Sequence, residues 1–253
     1  MKFAYLGSGS RGNAALIQAG GTTLMLDCGF SLAETERRLL RLGVAPQDLS
    51  AIVVTHEHAD HLSGVARLAR RHRIPVWMTH GTHAAWTGTD VPAVEFCCAH
   101  TPFTIGDIEL HPYPVPHDAR EPCQYVFSNR RRRIGVLSDA GHITSHIRAS
   151  LTGCDALLVE CNHDPDMLAQ GPYPDSLKAR VGGQLGHLSN GQTAALLGEI
   201  DITHLQHLVL AHISETNNTP TLARSTVAAA LSCAEHWIAV ADQGTGLDWR
   251  EVV

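Results

Sequence analysis

His56-Glu57-His58-Ala59-Asp60-His61 follows directly on the apolar run Ala51-Ile52-Val53-Val54-Thr55. The run reads as a buried strand and the hexapeptide as the loop that leaves its end. Four side chains able to bind a metal fall within those six residues. His56 and His58, one residue apart, can point to one cation, while Asp60 and His61 can point to a second. Neutral imidazole and carboxylate form a donor set that zinc, manganese and iron all accept. The chain carries 17 histidines in all, and histidine is the commonest metal ligand.

Upstream, Phe3 to Leu6, Ala14 to Gln18 and Thr22 to Leu26 are short apolar runs separated by glycine turns, which predicts β-strands in tight succession. Ser31-Leu32-Ala33-Glu34 has capping-box spacing, and the apolar positions after it stop at Gly43, so a helix with both ends marked is expected. Downstream, a helix is expected from Leu62 to about His72. Strands are expected near Pro75 to Thr79, Glu109 to Val115, Tyr125 to Ser128, Ile134 to Ser138, Ala156 to Glu160, His207 to Ala211 and Trp237 to Ala241. No repeat, low-complexity linker or break in composition interrupts this alternation. The pattern predicts a single α+β domain over 1–253, with two sheets covered by helices.

Of the 253 residues, 44% are apolar and 17% charged, the make-up of a globular chain with a sizeable core. A net charge of −6 argues against general attraction to nucleic acid, so a nucleic-acid substrate would need a local basic patch. Seven cysteines without a CxxC pair suit reduced thiols. There is no long apolar leader and no run near the roughly 18 apolar residues of a membrane span, so a cytoplasmic protein is expected.

The hexapeptide resembles the signature of the metallo-β-lactamase superfamily, and the rest of that family's pattern can be followed along the chain. Asp27, closing Leu24-Met25-Leu26-Asp27, is similar to the family's early aspartate, which orients the ligand loop from behind. His117 in Val115-Pro116-His117-Asp118 matches the third histidine of the first metal. Asp139 in Val136-Leu137-Ser138-Asp139 matches the carboxylate that bridges the two metals, and His212 in Val209-Leu210-Ala211-His212 the final histidine of the second. The resemblance implies a four-layer αββα sandwich. It also implies two divalent ions, zinc or manganese or else iron, held by His56, His58, Asp60, His61, His117, Asp139 and His212. His163 and His187 compete with His212 for the last place; His212 closes a clear strand, whereas His187 precedes a helix.

Within the superfamily, Gly186-His187-Leu188-Ser189-Asn190 and Leu210-Ala211-His212-Ile213-Ser214 are similar to ribonuclease Z and, more closely, to the YycJ/WalJ group of exonuclease-like proteins. Gly7-Ser8-Gly9-Ser10-Arg11-Gly12-Asn13, Glu160-Cys161-Asn162-His163-Asp164, Gly171-Pro172-Tyr173-Pro174 and Glu215-Thr216-Asn217-Asn218-Thr219-Pro220 also resemble that group. Only 21 residues lie between His117 and Asp139, and 72 between Asp139 and His212. Neither the tRNA-binding arm of ribonuclease Z nor the inserted domain of β-CASP nucleases fits those gaps.

What the resemblance implies is a two-metal phosphodiesterase, a 5′-to-3′ DNA exonuclease in which hydroxide bridging the ions attacks in line. The likeness to ribonuclease Z casts His187, oriented by Glu160, as general acid, with Asp60 also at the catalytic centre. DNA is then the expected partner. A hydrolase of small thioesters, lactones or phosphoesters, which the acidic charge favours, is one alternative, and a non-enzymatic metal-binding regulator is another. An exposed sheet edge could pair two subunits as a homodimer.

Three further stretches bear on substrate contact. Gly7-x-Gly9-x-x-Gly12 fits a dinucleotide fingerprint, but Asn13 to Ala19 is too short for the helix that a Rossmann unit needs. It reads as a plain turn or as a loop whose amides hold a phosphate, with Ser10 and Asn13 as candidate contacts. Lys178 and Arg180, on a helix expected to be capped near Asp175, are either a solvated face or contacts to a substrate phosphate. Arg130-Arg131-Arg132-Arg133 is either a solvated hairpin tip or a phosphate-backbone contact.

Overall fold

The computed structural model describes residues 1–86 and 91–253. The first part runs β1 (Lys2–Gly7), β2 (Ala14–Ala19), β3 (Thr22–Leu26), α1 (Leu32–Arg41), β4 (Ala51–Val53), α2 (Ala59–Leu62), α3 (Val65–His72), β5 (Val76–Met78), α4 (His80–Ala85) and β6 (Val94–Phe96). The second runs β7 (Phe103–Ile105), β8 (Ile108–Pro114), β9 (Cys123–Ser128), β10 (Arg133–Leu137), α5 (Ser145–Leu151), β11 (Ala156–Glu160), α6 (Pro165–Gln170) and α7 (Asp175–Val181). It closes with α8 (Asn190–Glu199), β12 (His207–Ala211), α9 (Pro220–Leu231), β13 (Ile238–Val240) and β14 (Leu247–Glu251).

These strands form two seven-stranded sheets, ordered β14-β1-β2-β3-β4-β5-β6 and β13-β12-β11-β10-β9-β8-β7. Both follow one plan. Antiparallel neighbours, β1 to β3 and β7 to β10, lead into parallel runs, β3 to β6 and β10 to β13. Parallel strands deliver their C-terminal loops to one edge of the sheet, where open α/β sheets place their sites.

Side chains alternate between layers. In β3, Leu24 and Leu26 face the opposite sheet and Met25 faces the helices; in β11, Ala156 and Leu158 face inward and Leu157 and Val159 outward. Strands covered on both faces read as unbroken apolar runs, which is why they were legible in the sequence. Between the sheets, Phe3, Ile17 and Val53 share one core with Leu110, Tyr125, Phe127 and Val136. Leu39, Val65 and Leu68 of α1 and α3 cover the first sheet. Ile147, Leu151, Leu196, Leu197 and Val227 of α5, α8 and α9 cover the second. The result is the four-layer αββα sandwich.

β6 and β7, three residues each and only partly buried, offer no unbroken apolar run to be read from sequence. β14 owes its place to pairing with β1, Lys2 opposite Glu251. The Ser31 cap forms, with Oγ accepting the Glu34 N–H, but the Glu34 carboxylate turns to Arg37 and Arg38 and does not complete a capping box. α7 begins after Pro174 with no side-chain cap, so Asp175 lies inside its first turn rather than at the cap. Arg38, charged yet 7% exposed, ties α1 to β1: Nη1 donates to the Leu6 and Gln243 carbonyls, and the guanidinium lies 4.2 Å over the Phe30 ring. Among the described residues, no helix is long and apolar enough to cross a membrane.

Candidate metal centre

Asp27, His56, Asp139, Glu160 and His212 stand at or just past the C-terminal ends of β3, β4, β10, β11 and β12, and His117 follows β8. Asp27, Asp139 and His212 have φ of 59°, 52° and 50°, a left-handed conformation that costs an L residue about 1 kcal/mol. Three of the predicted site residues thus hold the chain in a sharp turn at the very point where it leaves the sheet.

His56, His58 and His117 come together. His58 Nδ1 lies 3.0 Å from His56 Nε2 and 3.2 Å from His117 Nε2. On the outer side, His117 Nδ1 donates to the Gly186 carbonyl at 3.0 Å. His56 Nδ1 donates to Thr55 Oγ1 at 3.0 Å, and that hydroxyl donates to Asp27 at 2.9 Å. With the outer nitrogens as donors, the inner ones converge as lone pairs, and such an arrangement repels itself unless a cation sits among them. Burial lowers the pKa of His56 and His117 and so keeps both neutral, as metal ligation requires.

Asp60, His61 and His212 form a second group. Asp60 Oδ2 lies 3.4 Å from His61 Nε2 and 3.6 Å from His212 Nε2. His61 Nδ1 donates to Asp27 Oδ2 at 2.7 Å, which again turns Nε2 inward. Asp139 stands where the groups meet: Oδ2 is 3.0 Å from His61 Nε2, and Oδ1 is 3.0 Å from His212 Nδ1 and 3.3 Å from His187 Nδ1. Burial opposes ionisation of Asp139, but His212 and His61 outweigh it and hold the carboxyl well below the usual range. Burial likewise opposes a charge on His61, yet Asp139, Asp27 and Asp60 raise its pKa well above the ordinary value. A buried centre that draws positive charge this strongly, with only imidazole and carboxylate donors, suits divalent metal ions.

His187 and Glu160 are also brought to the centre. His187 Nδ1 donates to Glu160 Oε1 at 2.6 Å. Glu160 is fully buried, and its second oxygen accepts the Ala140 and Leu188 N–H groups. Burial lowers the His187 pKa, but the Glu160 and Asp139 carboxylates outweigh it and push the ring up to about 9. Asn13 reaches the second group as well, its Nδ2 donating to Asp60 Oδ2 at 3.1 Å beside His61 Nε2.

The other predicted contacts make no hydrogen bond to these donor groups. Ser10 is exposed; Ser8 fixes Asn13 instead, its hydroxyl donating to Asn13 Oδ1 at 3.0 Å and accepting the His212 N–H at 2.9 Å. Five amides of the loop, those of Ser8, Gly9, Arg11, Gly12 and Asn13, are spent on partners within the protein rather than offered to a phosphate. Lys178 Nζ donates to the Ala169 carbonyl at 2.7 Å. The tip at 130–133 sits at the opposite end of β10, roughly 20 Å from Asp139 at about 3.3 Å per strand residue, and Arg132 there pairs with Asp155. His163 is buried but joins none of the clusters among the described residues. Glu57 turns away to accept the Arg120 N–H at 2.7 Å.

Sequence reasoning passed over Ser8, Thr55, the Gly186 carbonyl and Asp118. Only Asp118 carried a readable signal, a carboxylate directly following His117. The glycines of the opening serve close packing. A Cβ on Gly29 would lie 1.8 Å from the Asp60 carbonyl oxygen and 2.8 Å from Gly12 Cα. Gly29→Ala is therefore expected to push the Asp60 loop outward, costing about 3 kcal/mol and weakening metal binding. Thermal unfolding with and without added zinc checks both effects; a variant with the parent's melting temperature and zinc response would refute the packing argument.

Residues 22–213 match the beta-lactamase superfamily domain. Exodeoxyribonuclease YycJ of Bacillus anthracis is 33% identical over 243 residues, which cover 91% of this chain and 89% of that protein. Exodeoxyribonuclease WalJ of Streptococcus pneumoniae is 31% identical, with 98% of this chain and 92% of that protein covered. Zn(2+)-bound PqqB from Methylobacterium extorquens shares the fold, with a TM-score of 0.76 at 18% identity over 99% of this chain and 100% of the other.

Proposed function

The chain belongs to the beta-lactamase superfamily, and on that footing we propose that it is a metal-dependent phosphodiesterase, a 5′-to-3′ DNA exonuclease formed by residues 1–253 as one domain. The observation that carries this reading is the pair of inward-facing donor groups meeting at Asp139. Similarity to two proteins named exodeoxyribonucleases, each over most of its length, supports the substrate class. In this reading His56, His58 and His117 would hold one divalent ion and Asp60, His61 and His212 a second, with Asp139 beside both groups; zinc, manganese and iron all accept the set. Such ions supply Lewis-acid polarisation of a phosphoryl group and activation of water.

The protein's own residues do the remainder. Asp27, Thr55 and the Gly186 carbonyl hold three imidazoles in the tautomer and orientation that ligation needs. Asn13 steadies Asp60. Glu160 anchors His187 through Nδ1 and leaves Nε2 to deliver a proton to the departing sugar oxygen.

The test is to incubate metal-stripped protein with end-labelled single- and double-stranded DNA, with and without Mn²⁺ or Zn²⁺. Metal-dependent shortening from the 5′ end is expected. Intact DNA under every metal, together with turnover of a thioester or lactone, would overturn the nuclease reading in favour of a small-molecule hydrolase.

A further inference from the structure

α7 brings one cation to the rim of the metal centre. Arg180 Nε donates to Asp118 Oδ2 at 2.6 Å. The other oxygen of Asp118 faces His58 Nε2 at 3.6 Å and His117 Nε2 at 3.5 Å. Arg180 is thus one carboxylate removed from the histidines of the first group. The hydrogen bond to Asp118 raises the Arg180 pKa, and the Asp60 charge contributes from farther off.

The position is rigidly held. His187 N–H donates to the Val181 carbonyl at 2.8 Å, and a Cβ on Gly186 would lie 2.1 Å from the Arg180 carbonyl oxygen and 2.2 Å from that of Val181. The end of α7 is therefore packed against the segment that carries both the Gly186 carbonyl and His187. The Arg180 side chain is nonetheless 58% exposed, and among the described residues only its Nε has a protein partner. Both η nitrogens remain as a planar fork, the geometry that matches two oxygens of a phosphate. In a chain of net charge −6, a fork at this place is the local cation that a polyanionic substrate requires.

Resting on the phosphodiesterase reading above, we propose that Arg180 clamps the phosphate next to the scissile one, making a nucleic-acid strand a better substrate than an isolated phosphodiester. Asp118 keeps Nε and orients the guanidinium, so that the η nitrogens are presented to the strand. A structural role alone, in which Arg180 only steadies Asp118 behind His58, predicts a different result.

The experiment is fluorescence anisotropy of a labelled, phosphorothioate-linked single-stranded oligonucleotide over a KCl series with Mn²⁺, for the parent protein, Arg180→Gln and Arg180→Lys, with bound manganese measured in each. Arg180→Gln is expected to bind about ten-fold more weakly, with a log-log salt slope shallower by about 0.7, at unchanged manganese content. Arg180→Lys should restore the slope but only part of the affinity, since the charge returns without the fork. Parent-like affinity and slope in Arg180→Gln, or a loss that tracks lost manganese, would overturn the clamp and leave the nuclease reading intact. A parent protein that ignores the oligonucleotide yet hydrolyses bis(4-nitrophenyl) phosphate would overturn the strand reading itself.

Discussion

Asp139→Asn is expected to abolish metal-dependent turnover, lowering kcat by about a thousand-fold or more, and to reduce bound metal below the parent's content. Asp139 is 2% exposed, and its two oxygens reach His61, His212 and His187. Loss of its charge removes the anion that both donor groups share, and a thousand-fold corresponds to about 4 kcal/mol of the several that metal ions contribute to transition-state stabilisation. Asparagine is the informative replacement because it tolerates the left-handed φ of 52° at this position. The fold should therefore survive while the charge does not. Metal analysis beside a thermal melt separates the two, and full turnover with unchanged metal would place Asp139 outside the chemistry.

His187→Ala should lower cleavage of an oligonucleotide by about a hundred- to ten-thousand-fold, the range for losing a positioned general acid. The loss should be much smaller on a 4-nitrophenyl ester of thymidine 5′-phosphate, whose leaving group departs as an anion without help. Bound metal should not change. The same ring also lies in a cluster with Asp139, Glu160 and His212, so the opposite pattern has a definite meaning. Equal losses on both substrates with metal lost would make His187 a ligand rather than a proton donor. The comparison turns on the leaving group, and a defect in folding or metal uptake cannot imitate it.

The hexapeptide at 56–61 was legible because its ligands are neighbours in the chain and follow a strand whose two faces are both covered. The outlying site residues were a different matter. Asp27, His117, Asp139 and His212 are spread over most of the chain, and no local spacing connects them; resemblance singles them out, and the sheets bring their loops together, Asp27, Asp139 and His212 from strands of the parallel runs and His117 from the antiparallel β8. The arginine run at 130–133 shows the converse, since its charge is plain in the sequence while its placement at the far end of β10 is not.

By itself, then, the sequence determined the layered α+β class, the strand runs and the identity of a metal-seeking loop, because apolar periodicity and adjacent ligands are local properties. Tertiary structure alone decided which of two similar residues is turned towards the donor groups. Gly7-Ser8-Gly9-Ser10 offers two serines, and the turn at Gly9, with φ of 148°, buries Ser8 against Asn13 and His212 and exposes Ser10. Lys178 and Arg180 lie two residues apart on α7, about 200° around the helix axis. Packing of the helix end against Gly186 and His187 directs Arg180 to Asp118, and Lys178 to the Ala169 carbonyl. In both cases the choice depends on the rotation of a short segment against residues distant in the chain, a quantity that local composition does not encode.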